Sequence, residues 1–187
     1  MAVWRALIMF PWFVFCAYWL AGAAKTRRTV EREPFWSRSG VLAMEILGFV
    51  LLFTDWGGAG LQQIFPRSFA AGAAGVVFTW LGIGLAVWAR WHLGQYWSAR
   101  VTLKEGHELI RTGPYARLRH PIYSGLDLAA LGGVLAEDRW RGIAGLFLIV
   151  AGYWLKARRE ESMLASQFGP GFEEHRRLTG FLFPKLF

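Results

Sequence analysis

The chain has a single cysteine, Cys16, among its 187 residues. With no second thiol, an intramolecular disulfide and a cysteine-based metal cluster are both excluded, and Cys16, inside an apolar run, is expected to serve packing. Histidine is scarce as well: four residues, none at paired-ligand spacing, so no structural metal site is expected. Charge is thin, at 18% of residues, and lopsided, with 13 acidic against 21 basic side chains and a net charge of +8. No polar basic stripe or nucleic-acid motif accompanies that excess, so no nucleic-acid partner is expected. Anionic membrane lipids and the rules of helix insertion account for it better. Solenoid repeats and low-complexity linkers are also missing.

What is present is apolar. Hydrophobic residues make up 55% and aromatics 17% of the chain, more apolar surface than a soluble domain of this size can bury. The runs are Val3 to Ala24, Gly40 to Trp56, Phe69 to Trp91, Ile122 to Ala136 and Arg141 to Leu155. Each is near the ~20 residues needed to cross hydrocarbon. The first is too long for a signal-peptide core and is followed by basic residues from Lys25, so it is expected to be a retained helix. Frequent Gly and Ala within the runs allow close helix approach. Asp127 lies in the fourth run, where a carboxylate must face the bundle interior or a wet cavity.

Basic residues sort the connections into two sets. One holds Lys25, Arg27, Arg28, Arg32 and Arg38, then Arg90 to Arg119, then Lys156 to Lys185; the other holds only Arg5, Arg67, Arg139 and Arg141. The expectation is an all-α integral membrane protein of about five transmembrane helices, N-terminus outside and C-terminus cytoplasmic. It reads as one membrane domain, with three helices in residues 1–93 and the remainder in 94–187. Trp4, Trp36, Trp56, Trp91, Trp97 and Trp140, near helix ends, are expected to be interface anchors. The stretch from Gly94 to Arg119 is long for a helix connection and reads as a binding loop. Glu160 begins a charged extension of the fifth helix that breaks at Gly169, Pro170 and Gly171 and resumes as a segment suited to the interface.

Two clusters carry chemistry: HELIRTGPYARLRHPIY from His107 to Tyr123, and KARREESMLASQFG from Lys156 to Gly169. The first resembles the signature of isoprenylcysteine carboxyl methyltransferases and their bacterial and archaeal relatives, H-x-L-V-x-x-G-x-Y-x-x-x-R-H-P-x-Y-x-G. His107, Leu109, Gly113, Tyr115, Arg119, His120, Pro121, Tyr123 and Gly125 fill it. Glu160, Glu161, Leu164, Phe168 and Gly169 fill the second pattern, E-E-x-x-L followed by F-G. The resemblance covers about the last half of the chain. It implies a membrane methyltransferase that takes S-adenosylmethionine from the cytosol and a lipophilic acceptor from the bilayer, placed in the cell inner membrane. The cofactor residues it implies are His107, Glu108, Leu109, Ile110, Gly113, Tyr115, His120, Pro121, Ile122, Tyr123 and Glu160. Lys156 stands where the family has an arginine for the acceptor carboxylate, and Arg100 stands where the family can have a glutamine.

The residues themselves are compatible with this. Glu160, Glu161, Tyr115 and Tyr123 offer anionic or π groups to a sulfonium and an ammonium, while Arg119 and His120 offer positive charge to a carboxylate. Pro121 suits the first position of a helix. Lys156, Arg119 and Glu161 are the catalytic candidates: a carboxylate acceptor needs only orienting, by Lys156, Arg158 or Arg159. An amine or thiol acceptor must lose a proton, to His120, Glu161 or His175. The acceptor is therefore a prenylated cysteine carboxylate, a phospholipid amine or a small thiol. A non-enzymatic carrier or structural subunit is the rival from another class.

Overall fold

The computed structural model describes residues 2–23, 29–32, 35–54, 68–97, 102–104, 108–137 and 139–185. Helices α1 (Ala2–Ala23), α2 (Phe35–Phe53), α3 (Phe69–Leu93), α4 (Pro121–Glu137) and α5 (Trp140–Phe168) form the bundle, and α6 (Pro170–Leu178) follows at its end. The all-α expectation needs one addition, a two-stranded antiparallel ribbon of β1 (Thr29–Arg32) and β2 (Thr102–Lys104), with Arg32 opposite Thr102 and Thr29 opposite Lys104. The ribbon joins the segment after α1 to the one after α3.

Helix ends follow local chemistry. The Ser68 side chain accepts a hydrogen bond from the Ala71 N–H at 3.0 Å and starts α3. Gly94, at φ 53°, ends it. Pro121 is the first residue of α4, as expected from its fixed φ and missing donor. α5 runs unbroken through the charged extension and stops at Gly169, φ 48°, where Pro170 opens α6.

The principal packings are α3 on α4 and α2 on α5, with α1 along α3. Their contacts depend on glycine. A methyl group at Gly125 would stand 2.5 Å from the Gly82 carbonyl oxygen, and one at Gly145 would stand 2.6 Å from that of Gly48. Between apolar helices in lipid the gain comes from close dispersion contact rather than from water release, so backbone approach is the stabilising device. Thr79 Oγ1 donates within its own helix to the Gly75 carbonyl at 2.9 Å, and the Ala129 carbonyl of α4 lies 3.4 Å away.

Ile8, Trp12, Leu52, Ile83, Leu126 and Ile149 lie in the core. The outside of the bundle is equally apolar: Phe13, Leu20, Phe69, Trp91 and Phe147 are 70–78% exposed. Such a surface requires a lipid solvent. Val3–Gly22 and Phe69–Tyr96 are each long and apolar enough to cross a membrane.

Two expectations are corrected. Cys16 does not pack in the core; it is exposed. Trp97 is no surface anchor either: it is buried, 3.8 Å from the Arg90 guanidinium and edge-on to Trp19 at 4.9 Å. Trp91 and Trp140 are exposed, as anchors would be. Trp56 and the side chain of Trp36 lie outside the described residues.

Candidate functional site

The start of α4 and the charged extension of α5 meet at one end of the bundle because the two helices form an antiparallel hairpin. On α5, Tyr153, Lys156 and Glu160 follow one another at helical spacing and share a face. On α4, Tyr123 occupies the first turn, directly after His120 and Pro121. The result joins residues far apart in the chain. Tyr123 Oη donates to Glu160 Oε1 at 2.5 Å. His120 lies between the two glutamates, Nδ1 3.4 Å from Glu160 Oε2 and Nε2 3.4 Å from Glu161 Oε1. The second contact has ion-pair distance without hydrogen-bond alignment. Arg119 Nε donates to Glu161 Oε1 at 2.5 Å. The His120 and Tyr123 rings are stacked with centroids 5.8 Å apart, and Tyr123 stacks in turn on Tyr153 at 5.0 Å.

A strap from the C-terminal segment closes over this cluster. Beyond α6 the backbone runs parallel to residues 117–120: the Arg119 N–H donates to the Gly180 carbonyl at 2.9 Å, and the Gly180 N–H donates to that of Arg117 at 3.0 Å. Arg119 also donates to the Thr179 carbonyl at 2.5 Å, and Ser124 Oγ donates to that of Leu182 at 2.6 Å. Phe181 lies edge-on to His120 at 5.1 Å. Arg111 fixes α6 to the loop by donating to the Gly171 carbonyl at 2.6 Å and pairing with Glu174 at 3.1 Å.

Electrostatics follow from this geometry. Burial opposes the His120 imidazolium, but the adjacent Glu160 and Glu161 carboxylates outweigh it and raise its pKa above the ordinary value. Burial also opposes the Glu161 carboxylate, and His120 and Arg119 outweigh it, so its pKa is lowered. The Tyr115 phenol is held protonated, first by burial and then by Glu160. His175, on the buried face of α6, has a lowered pKa from burial and from Arg111 and Arg119.

The expected residues sort as follows. Arg119, His120, Tyr123, Glu160 and Glu161 come together, with Tyr115 buried within electrostatic reach of Glu160. Gly113, at φ 57°, lies so close to the His92 ring that any side chain there would collide with it. Pro121 and Ile122 are buried, Leu109 and Ile110 are half-buried, and Glu108 is exposed. His107 and Arg100 lie outside the described residues. Lys156 does not pair with Glu160 or Glu161 at helical spacing: its Nζ lies 3.9 Å from Glu45 Oε1 of α2 and 5.4 Å from the Tyr123 ring centroid. A cleft of about 200 Å³ beside the cluster is lined by Arg158, Glu161, Ser162, Ala165 and Arg176.

Sequence reasoning missed Glu45, Tyr153 and the strap. An acidic residue in an apolar run is a signal that could have found Glu45. Backbone carbonyls at 179–182 carry no such signal.

Residues 70–171, just over half of the chain, match the phospholipid methyltransferase family. Among known proteins, the uncharacterized protein YpbQ of Bacillus subtilis (strain 168) is 32% identical over 92 residues, covering 49% of this chain and 51% of its own length. The nickel-cobalt-cadmium resistance protein NccN of Alcaligenes xylosoxydans xylosoxydans is 30% identical over 57% of this chain and 48% of its own. The cobalt-zinc-cadmium resistance protein CzcN of Cupriavidus metallidurans is 34% identical over 57% and 47%. The chain thus spans about half the length of the curated relatives it matches.

Proposed function

We propose a function on one premise: the chain belongs to the phospholipid methyltransferase family. It is a membrane protein of a methyltransferase family, and the proposed reaction is transfer of a methyl group from S-adenosylmethionine to a lipophilic acceptor that reaches the site from the bilayer. The site is assigned to the cytoplasmic face of the inner membrane, with α1 to α5 as five crossings, on the asymmetry of the basic residues.

The observation that supports this best is the convergence of Tyr123, His120, Glu160 and Glu161 at one mouth of the bundle. S-adenosylmethionine carries a sulfonium, an ammonium and a carboxylate, and the donor set fits all three. Glu160 with Tyr123 and Tyr115 offers anionic and aromatic groups to the cations, and His120 with the cleft residues Arg158 and Arg176 offers positive charge to the carboxylate. Bound there, the cofactor supplies an electrophilic methyl group with its leaving group attached. The chain then has to align the acceptor and exclude water. The buried aromatic stack of Tyr123 and Tyr153 supplies a dry wall for that. Arg119 holds the strap and Glu161 together, a positioning role.

The family's name favours a phospholipid amine over the prenylated cysteine carboxylate that the motif resemblance implies. Two relatives are named for metal resistance. Among the described residues no group of three or more His, Cys, Asp or Glu side chains is arranged to hold a metal ion, so no metal-binding role is carried over from those names.

Calorimetry of the detergent-solubilised full chain with S-adenosylhomocysteine is expected to show saturable binding, and labelled methyl transfer to phosphatidylethanolamine or to a farnesylated cysteine then identifies the acceptor. A folded sample that binds no S-adenosylhomocysteine overturns the proposal and leaves the carrier or structural reading.

A further inference from the structure

The strap that closes over the cluster also carries an exposed apolar and basic face. Past α6 the chain folds back so tightly that a methyl group at Gly180 would collide with the Phe183 carbonyl. The turn brings Lys185 to the end of α6, where its Nζ donates to the Arg177 carbonyl at 2.6 Å. Leu178, next to Arg177, and Phe183, just before Pro184 and Lys185, are 70% and 81% exposed. The acids of α6 are already engaged: Glu173 pairs with Arg176 at 2.8 Å, and Glu174 with Arg111. Arg177 and Lys185 are exposed and have no ion pair among the described residues. The height of this face follows from its anchors. Ser124 Oγ, in the first turn of α4, holds the Leu182 carbonyl, so Phe183 lies near the level of Tyr123. Tyr123 stacks on Tyr153, and the next residue of α5, Trp154, is half-exposed with the Arg158 guanidinium 5.6 Å from its ring centroid. A tryptophan on the outer wall, under an arginine one turn nearer the helix end, marks a lipid headgroup boundary. Phe183 therefore sits at the bilayer surface.

We propose that this face, made of Arg177, Leu178, Phe183 and Lys185, docks on anionic lipid headgroups around the bundle, and that docking holds the strap closed. Two unpaired cations beside two exposed apolar side chains match an anionic bilayer surface in charge and in depth. The strap ties its Gly180 backbone to Arg117 and Arg119 and lays Phe181 against His120. A docked strap thus presents Arg119, His120 and Glu161 preorganised for a ligand. The docking surface stands apart from the methyl-transfer reading; only its effect on cofactor affinity rests on that reading.

The test places one copy of the chain in each lipid nanodisc, made of phosphatidylcholine alone or with about 30% phosphatidylglycerol, and follows hydrogen exchange in residues 117–120 and 179–183. Phosphatidylglycerol is expected to slow that exchange about tenfold, a few-fold for each of the two cations, and to raise S-adenosylhomocysteine affinity by a similar factor. Arg177→Gln with Lys185→Gln removes both differences, whereas Arg177→Lys with Lys185→Arg, which keeps the charge, retains them. Equal exchange in the two bilayers overturns the proposal, and so does a difference that survives the double glutamine variant. A difference seen only in discs holding two copies assigns the face to a second chain and overturns it as well. Slowed exchange with unchanged S-adenosylhomocysteine affinity overturns the link from docking to the site. Absence of S-adenosylhomocysteine binding in both bilayers overturns the methyl-transfer reading, and the exchange comparison still decides the docking.

Discussion

At the end of the bundle where α1 begins and α2 and α4 finish, Arg5 donates to the Phe53 carbonyl at 3.1 Å and lies 3.8 Å from Glu137, and Arg141 donates to the Thr54 carbonyl. At the other end, where α4 begins and α5 extends past the bundle, the charged groups are Arg119, His120, Glu160 and Glu161, linked mainly to one another and to Tyr123. The first arrangement answers a need of every helix C-terminus: its last carbonyls lack intrahelical donors, and a cation there also meets the negative end of the helix dipole. The second answers no such need. Two carboxylates within one imidazole's reach cost desolvation that a plain helix end would avoid. The two ends share residue types, and what separates them is that side chains satisfy backbone at one and face other side chains at the other.

The sharpest way to test that contrast is to remove one carboxylate from each end. Glu160→Gln keeps the shape and can keep a hydrogen bond to Tyr123 Oη, but it removes the charge that the proposed cofactor cations would meet. S-adenosylhomocysteine affinity, read by calorimetry, should fall about 30-fold, the loss expected of one charge-assisted hydrogen bond. Glu137→Gln at the opposite end should leave that affinity unchanged. Equal effects at both ends would mean that the clustered carboxylates are structural.

Much of this contrast was legible in the sequence. The apolar runs located all five long helices, and Gly169 with Pro170 located the break between α5 and α6. Residues 119–123 and 160–161 were singled out together, and they do meet. Glu45 was not legible as a partner of Lys156, because the pair is long-range and bridges α2 and α5, and nothing local in the second run requires an acid. The strap was invisible for a different reason: the hydrogen bonds it makes to residues 117–120 come from main-chain N–H and C=O groups that any residues would supply. Trp97 was misplaced because position near a helix end predicts an interface, whereas the buried Arg90 guanidinium holds the indole inward.

A smaller effect is expected from pH. The His120 pKa is raised above its ordinary 6.5, so the stability it lends is complete below that value and is lost as pH rises through the folded-state pKa. The Glu161 pKa is lowered below its ordinary 4.5, so its contribution is complete above that value and is lost as pH falls through the folded-state pKa. The cluster should therefore be most stabilising between about pH 4.5 and 6.5, the interval these two pairs of values bound. Thermal unfolding in detergent, followed from pH 4 to 9, should show the midpoint declining on the alkaline side, and His120→Gln should flatten that limb. An alkaline limb unchanged by His120→Gln would remove His120 from the network's energetics.

The least effect is expected from Arg5→Ala. The Arg5 side chain is 45% exposed, and its ion pair with Glu137 at 3.8 Å is long and partly wet. Such pairs are worth at most about 1 kcal/mol, and water can replace the hydrogen bond to the Phe53 carbonyl. The unfolding midpoint should drop by a few degrees at most, and S-adenosylhomocysteine affinity should not change. Salt discriminates further: a partly exposed pair is screened while the nearly enclosed Arg119 and Glu161 pair is not. Raising ionic strength should therefore erase the difference between Arg5→Ala and wild type. A loss of cofactor affinity in Arg5→Ala would show that the two ends are coupled through the helices that Arg5 ties together.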